Sequence, residues 1–194
     1  VEVPENYTES YIEELGWENK FVFGMHQRND IHIFSPIPLE AYEEIQSDDT
    51  AFLILGGSAN HRKQAKDYQL KNVKFLDTTS DINLIHKFLN TLNVYAHGRS
   101  DGEQCSSSII EGLSHHLPMI SHTAPSMGQK EQIGDAGEVV DDYQEYSEVM
   151  KNLMNNKNYY VVCKLNAESR YRKIYDVPAI ISKFVELYRE AANA

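Results

Sequence analysis

From Phe21 onward, short apolar runs alternate with stretches whose apolar residues recur at helical spacing. Phe21 to Phe23 reads as a first buried strand that closes at Gly24, and Ala51–Leu55, Val73–Leu76, Val94–Ala96, Pro118–Ser121 and Ala136–Val140 give five more. Between them, a helix opened by Pro38 carries Ala41, Tyr42 and Ile45 on one face, and a polar helix runs from about Asn60 to Tyr68. The stretch from Asp81 to Leu92 aligns Ile85, Phe88, Leu89 and Leu92, while Ile109, Ile110, Leu113 and Leu117 form a further stripe. Beyond Asp142, Tyr146, Val149, Met150 and Leu153 share a face, as do Ile181, Phe184, Val185 and Tyr188. Strand and helix therefore alternate, which predicts an α/β fold: a Rossmann-like, doubly wound parallel sheet of about six strands flanked by helices. Residues 1–18 are expected to be a linker from an upstream domain with a short helix near Thr8–Leu15 stopped by Gly16, leaving 19–194 as the folded domain.

The 194 residues, 41% of them hydrophobic, suffice for one real core. A formal net charge of −11 disfavours nonspecific nucleic-acid binding and adhesion to anionic lipid, so any phosphate must be met by local positive charge. Cys105 and Cys163 form no spaced pattern, which fits a reducing compartment. No apolar run reaches the ~18–20 residues of a membrane span, and the expectation is a cytoplasmic protein.

The densest chemistry lies between His97 and Pro118, HGRSDGEQCSSSIIEGLSHHLP. A strand runs into a glycine-bearing polar loop and then into a helix whose start offers Ser106, Ser107 and Ser108 to unpaired backbone N–H groups. A strand, loop and helix N-terminus at the edge of an open α/β sheet favour an anion such as phosphate. Two carboxylates, Glu103 and Glu111, bracket this feature with seven residues between them. Each has two readings. Glu103 is either a ligand or a solvated loop acid beside Asp101, and Glu111 is either a ligand or the partner of Ser108 in a capping box.

The run Asp101-Gly-Glu103, Ser106, Glu111, Leu117-Pro118 and Ile120-Ser121-His122 resembles the donor-binding half of retaining glycosyltransferases with two facing Rossmann domains, the GT-B fold of family 4. The resemblance extends from about Leu15 onward. It implies a hexosyltransferase-type enzyme that transfers a sugar from a nucleoside diphosphate of UDP or GDP type, with no cofactor and no metal. By motif position, Glu103 would face the donor sugar as the catalytic acid, Glu111 would bind the ribose hydroxyls, and backbone amides of Cys105, Ser106 and Ser107 would hold the diphosphate. Gly24, His26 and Arg28, at and beyond the first strand, fall where the family places donor contacts, with Arg28 on the diphosphate and His26 standing in for an absent lysine. Arg28 read from its neighbours alone is an ion-pair partner of Asp30. Thr78 and Thr79 fall in the loop that borders the nucleotide base, or else cap the helix before Ile82. Tyr159–Cys163 has strand propensity, yet the resemblance implies helix there.

Two departures stand out. Where many members have Phe-Gly, this chain has Cys105-Ser106. No Asp-x-Asp is present to hold a divalent ion on a diphosphate, so leaving-group charge falls to Arg28 and helix-end amides. The histidines at 97, 115, 116 and 122 lack an accompanying ligand set, and the polar stretch His122–Gln132 reads as a loop. The acceptor site is expected on an N-terminal domain of the same parent protein, so this chain alone would be an incomplete, inactive half. Two alternatives share these residues: a non-catalytic nucleotide or sugar-nucleotide binding module, and half of a two-domain sugar-nucleotide epimerase.

Overall fold

β2 (Thr50–Gly56) is buried along its whole length, as a parallel strand covered by helices on both faces must be. In the computed structural model, which describes residues 3, 4 and 7–193, it sits inside a six-stranded parallel sheet. The other strands are β1 (Phe21–Gln27), β3 (Val73–Leu76), β4 (Val94–Ala96), β5 (Met119–His122) and β6 (Gly137–Val140). Their order is β3-β2-β1-β4-β5-β6, so the winding reverses between β1 and β4. Such a reversal opens a crevice at the carboxyl ends of those two strands, where ligands of open α/β sheets bind.

Helices α1 (Ile12–Leu15), α2 (Ile37–Glu43), α3 (Ala59–Asp67), α4 (Ile82–Thr91), α5 (Ser107–Ser114), α6 (Gly128–Ile133), α7 (Tyr143–Asn155), α8 (Lys157–Arg170) and α9 (Val177–Ala192) complete the order. The core joins Phe23, Leu53 and Ile54 of the sheet to Phe88 and Leu89 of α4 and Ile109 and Leu113 of α5. The buried Tyr146 hydroxyl of α7 donates to the carbonyls of His97 (3.0 Å), just past β4, and Ile120 (3.2 Å), within β5, and so ties the two strands together.

Several expectations need correcting. β1 does not close at Gly24 but continues to Gln27, which puts His26 in the strand. Gly24 is a packing position inside the sheet: a Cβ there would stand 2.6 Å from a Leu92 methyl and collide with the Leu53 carbonyl. The N-terminal helix is confined to Ile12–Leu15, ended by Gly16 at φ +65°; of the expected linker, residues 1, 2, 5 and 6 lie outside the described residues. The stretch read as a loop between His122 and Gln132 contains most of α6. Tyr159–Cys163, by contrast, is helical within α8, as the resemblance implied. The shared face of α9 is formed as expected and stands open, with Ile181 and Phe184 each 56% exposed. Among the described residues, no helix is long and apolar enough to cross a membrane.

Candidate functional site

The crevice holds a cavity of about 370 Å³, within the size range of small-molecule sites. Nine of the residues singled out in the sequence line it: His26, Arg28, Thr78, Thr79, Glu103, Cys105, Ser106, Ser107 and Glu111. Gly24 does not; because β1 runs on to Gln27, the strand's carboxyl end lies three residues further along. The end of β2 borders the same space through Leu55. Gly56 there adopts φ +82°, and a Cβ would strike the Gln27 carbonyl, so only glycine lets the two strand ends approach.

Glu103 is held more firmly than a loop acid. With Gly102 it forms a two-residue strand paired to Ser126 and Met127, and its N–H donates to Gln129 Oε1 at 3.2 Å. Its Oε1 accepts from Arg99 Nη1 at 3.3 Å and lies 3.8 Å from His97 Nε2. Burial pushes the carboxyl up, but His97 and the Arg99 charge outweigh it, and the acid is held below the usual carboxylate value. His97 is itself buried, with Nδ1 2.9 Å from Ser121 Oγ.

Glu111 is not a capping-box partner. The N-cap of α5 is Ser106, two residues ahead of the expected Ser108, and no side chain caps the helix. Ser106 Oγ instead meets Ser108 Oγ at 2.9 Å. The Glu111 carboxylate reaches across to β1, where its Oε2 lies 2.6 Å from His26 Nε2. The Tyr95 hydroxyl approaches His26 Nδ1 at 3.2 Å, so the imidazole is braced from both sides.

Two arginines line the cavity. Arg28 has a side chain 65% exposed and only a 3.4 Å contact with Asp30, the pairing its neighbours suggested. Arg99, which sequence reasoning missed, grips Asp101 through Nε (2.7 Å) and Nη2 (2.9 Å) while also reaching Glu103. That fork holds the Asp101 carboxyl below its ordinary value. The only signal for Arg99 was its place three residues past β4, close in sequence to two acids.

The amides are shared unevenly. Ser106 N–H donates to Gln132 Oε1 at 2.6 Å while Gln132 Nε2 donates back to the Ser106 carbonyl at 3.1 Å. The expected Ser106 amide is therefore spent inside the protein. Among the described residues, the N–H groups of Ser107 and Ser108, at the start of α5, have no protein acceptor. Gln129 and Gln132 thus brace the whole stretch from Glu103 to Ser106 from α6, and nothing in a presumed loop marked them for that task. Thr79 Oγ1 accepts from the Asp81 N–H at 3.0 Å, and Asp81 is the cap of α4.

The histidines split into separate networks. His115 meets His86, His122 meets Ser35, and His97 meets Ser121. Among the described residues, no group of three or more His, Cys, Asp or Glu is placed to hold a metal ion.

The sequence model described as Glycosyl transferases group 1 matches residues 27–156. A comparison with curated protein sequences gives no match. Among solved structures, HepE of Anabaena in complex with UDP-glucose is 18% identical, with a TM-score of 0.77 over 92% of this chain and 51% of its own. A glycosyltransferase of Rickettsia africae is 18% identical, with a TM-score of 0.72 over 96% of this chain and 53% of its own. The C-terminal domain of the group 1 family protein LpcC from Francisella tularensis is 14% identical, with a TM-score of 0.72 over 90% of this chain and 95% of that domain. This chain thus spans about half the length of the first two, and its parallel sheet is that of a GT-B glycosyltransferase domain.

Proposed function

This chain belongs to the group 1 glycosyl transferases, and from the cavity at the carboxyl edge of its sheet we infer that it forms the donor half of a retaining transferase. The observation that carries this reading is the convergence of Glu103, Glu111, Arg28 and the start of α5 on one cavity. A nucleoside diphosphate sugar has the matching charge pattern. Its diphosphate meets the Ser107 and Ser108 amides and Arg28, its ribose hydroxyls meet Glu111, and its sugar lies against Glu103. The base falls toward Thr78 and Thr79. Because HepE was solved with UDP-glucose, we assign a uridine donor and a hexosyl group.

No metal is assigned to the step. As the sugar–phosphate bond breaks, negative charge grows on the diphosphate, where the arginine and the helix-end amides lie, and positive character grows on the sugar ring, where the Glu103 carboxylate lies. The acceptor site is assigned to an N-terminal domain of the parent protein, leaving this half able to bind but not to transfer. A cytoplasmic setting fits its two unpaired cysteines.

Titration calorimetry of this chain with UDP, uridine and GDP tests the reading. UDP should bind about tenfold or more tightly than uridine, since charge-assisted phosphate contacts are worth more than neutral ones. Equal affinity for uridine and UDP, or no binding of UDP or GDP, would overturn it.

A further inference from the structure

Adjoining the donor cavity is a smaller, partly open space of about 20 Å³ at the carboxyl ends of β1 and β4. Gln27, Tyr95, His97, Glu103 and Ser108 contribute to its wall. An ordered buried water needs roughly 10–15 Å³ and two to four polar partners, so the space admits one water and not a cluster.

The hydrogen bonds of this wall are incomplete in a specific way. Gln27 Nε2 donates to the carbonyls of Gly98 (3.2 Å) and Ile33 (3.4 Å), which fixes the orientation of its amide. Its Oε1 is then left buried with no partner among the described residues. His97 Nε2 and Glu103 Oε1 are 3.8 Å apart, beyond a direct hydrogen bond, although both are buried or nearly so. Buried polar groups are otherwise paired, and contacts of this length between them call for a bridging water.

We propose that one water molecule is an integral member of the site, held by Gln27 Oε1, Ser108 Oγ, His97 Nε2 and Glu103, and that through it Gln27 and His97 position the Glu103 carboxylate. The proton inventory closes. In the proposed arrangement the Ser121 O–H donates to His97 Nδ1, 2.9 Å away, and His97 carries its proton on Nε2 and donates it to the water. In the same arrangement the Ser106 O–H donates to Ser108 Oγ, 2.9 Å away, and the Ser108 proton is given to the water. The water gives its own two protons to Gln27 Oε1 and to the Glu103 carboxylate. Only the consequence for catalysis rests on reading Glu103 as the sugar-facing acid; the water itself does not.

A crystal structure of this chain at a resolution that shows ordered waters, with long-range ¹⁵N spectroscopy of its histidines, tests the water directly. Density within hydrogen-bond reach of Gln27 Oε1 and a His97 Nε2–H tautomer are expected. Absent density, or the Nδ1–H tautomer, overturns the proposal whatever the donor is. For the positioning role, Gln27→Met and Ser108→Ala each remove one anchor of the water, so one informative variant remains if the other fails to fold. In each, the ratio of UDP-glucose to UDP affinity should fall about fivefold, the worth of one hydrogen bond. An unchanged ratio in the folded variants, with Glu103→Gln lowering it, overturns the positioning role alone. A ratio unmoved by Glu103→Gln overturns the sugar-facing reading of that acid, and the water is then decided by the density and the tautomer.

Discussion

His26 Nε2 at the end of β1 and Glu111 Oε2 on α5 lie 2.6 Å apart across 85 residues of sequence. Both side chains are 14% exposed, so the contact stands at the cavity wall and not in bulk water. Its effect is to aim the carboxylate: with one oxygen engaged by the imidazole, the other is free to accept from a ligand hydroxyl. The same contact removes His26 Nε2 from the pool of phosphate donors, which separates it from Arg28.

A pair of variants distinguishes these roles. Glu111→Ala should weaken UDP roughly tenfold or more, as expected for lost charge-assisted hydrogen bonds of about 1.5–3 kcal/mol, and leave pyrophosphate binding unchanged. His26→Ala should reproduce part of the loss for UDP and none of it for pyrophosphate. Calorimetry with both ligands reads the difference, and a fall in pyrophosphate affinity in the His26 variant would return that residue to the phosphate.

Arg28 and Arg99 should part in the same assay. Arg28 is the more available cation, with one 3.4 Å contact to Asp30, whereas Arg99 is committed to Asp101 and Glu103. Arg28→Ala should therefore weaken UDP about tenfold while changing uridine affinity and thermal stability little. Arg99→Ala should lower stability and loosen Glu103. Were Arg99→Ala to abolish UDP binding with stability intact, the diphosphate would belong to Arg99.

The strands were legible because parallel strands buried on both faces are written as unbroken apolar runs, as in Thr50–Gly56. The motif from Glu103 to Glu111 was legible for the same local reason: strand, loop and helix start are contiguous in the chain. What supports the motif was not. Gln129 and Gln132 reach it from α6, and His26 reaches it from β1, and no local pattern encodes which distant polar side chain a fold brings to an amide or a carboxylate. The end of β1 was misplaced because Gly24 looked like a terminator, whereas its missing side chain makes room for Leu92. The shared face of α9 was legible as apolar, but periodicity does not show what covers such a face.

A buried imidazole, His86, and a partly buried one, His115, set an acid limit on stability. His115 Nδ1 donates to Asn90 Oδ1 at 2.7 Å, which leaves its Nε2 to accept from His86 Nδ1 at 2.8 Å. Burial, helped by the neighbouring His86, pushes His115 down to about 3, and burial lowers His86 as well. The unfolded chain therefore binds more protons than the folded one below the ordinary value of 6.5. Stability is full above that pH and is lost as pH falls toward about 3, by at most ~1.4 kcal/mol per pH unit for each group. Urea unfolding at pH 7, 6 and 5 should show this decline, and His115→Gln should make it shallower. An unchanged slope in the variant would place the acid sensitivity in other groups.

The last expectation concerns the charge on Glu103. Its carboxyl is buried, which alone would raise its proton affinity, yet His97 and Arg99 hold it below the ordinary value of 4.5. A carboxyl lowered on folding contributes stability that is complete above that value and lost as pH falls through the lower folded value. The acid is thus ionised throughout the neutral range. In the proposed retaining transfer, a fixed negative charge at Glu103 would favour the positive character that develops on the sugar as the diphosphate departs, and a neutral group of the same shape could not supply it. Glu103→Gln in the full-length transferase should leave UDP affinity within about twofold, since the nucleotide is held elsewhere, and lower kcat about a hundredfold, as removal of a single electrostatic contact to a transition state does. Initial-rate kinetics with UDP-glucose, beside calorimetry with UDP, measure the two quantities. A glutamine variant that turns over at the parental rate would show that the carboxylate serves the fold of the Gly102–Met127 region and not the reaction.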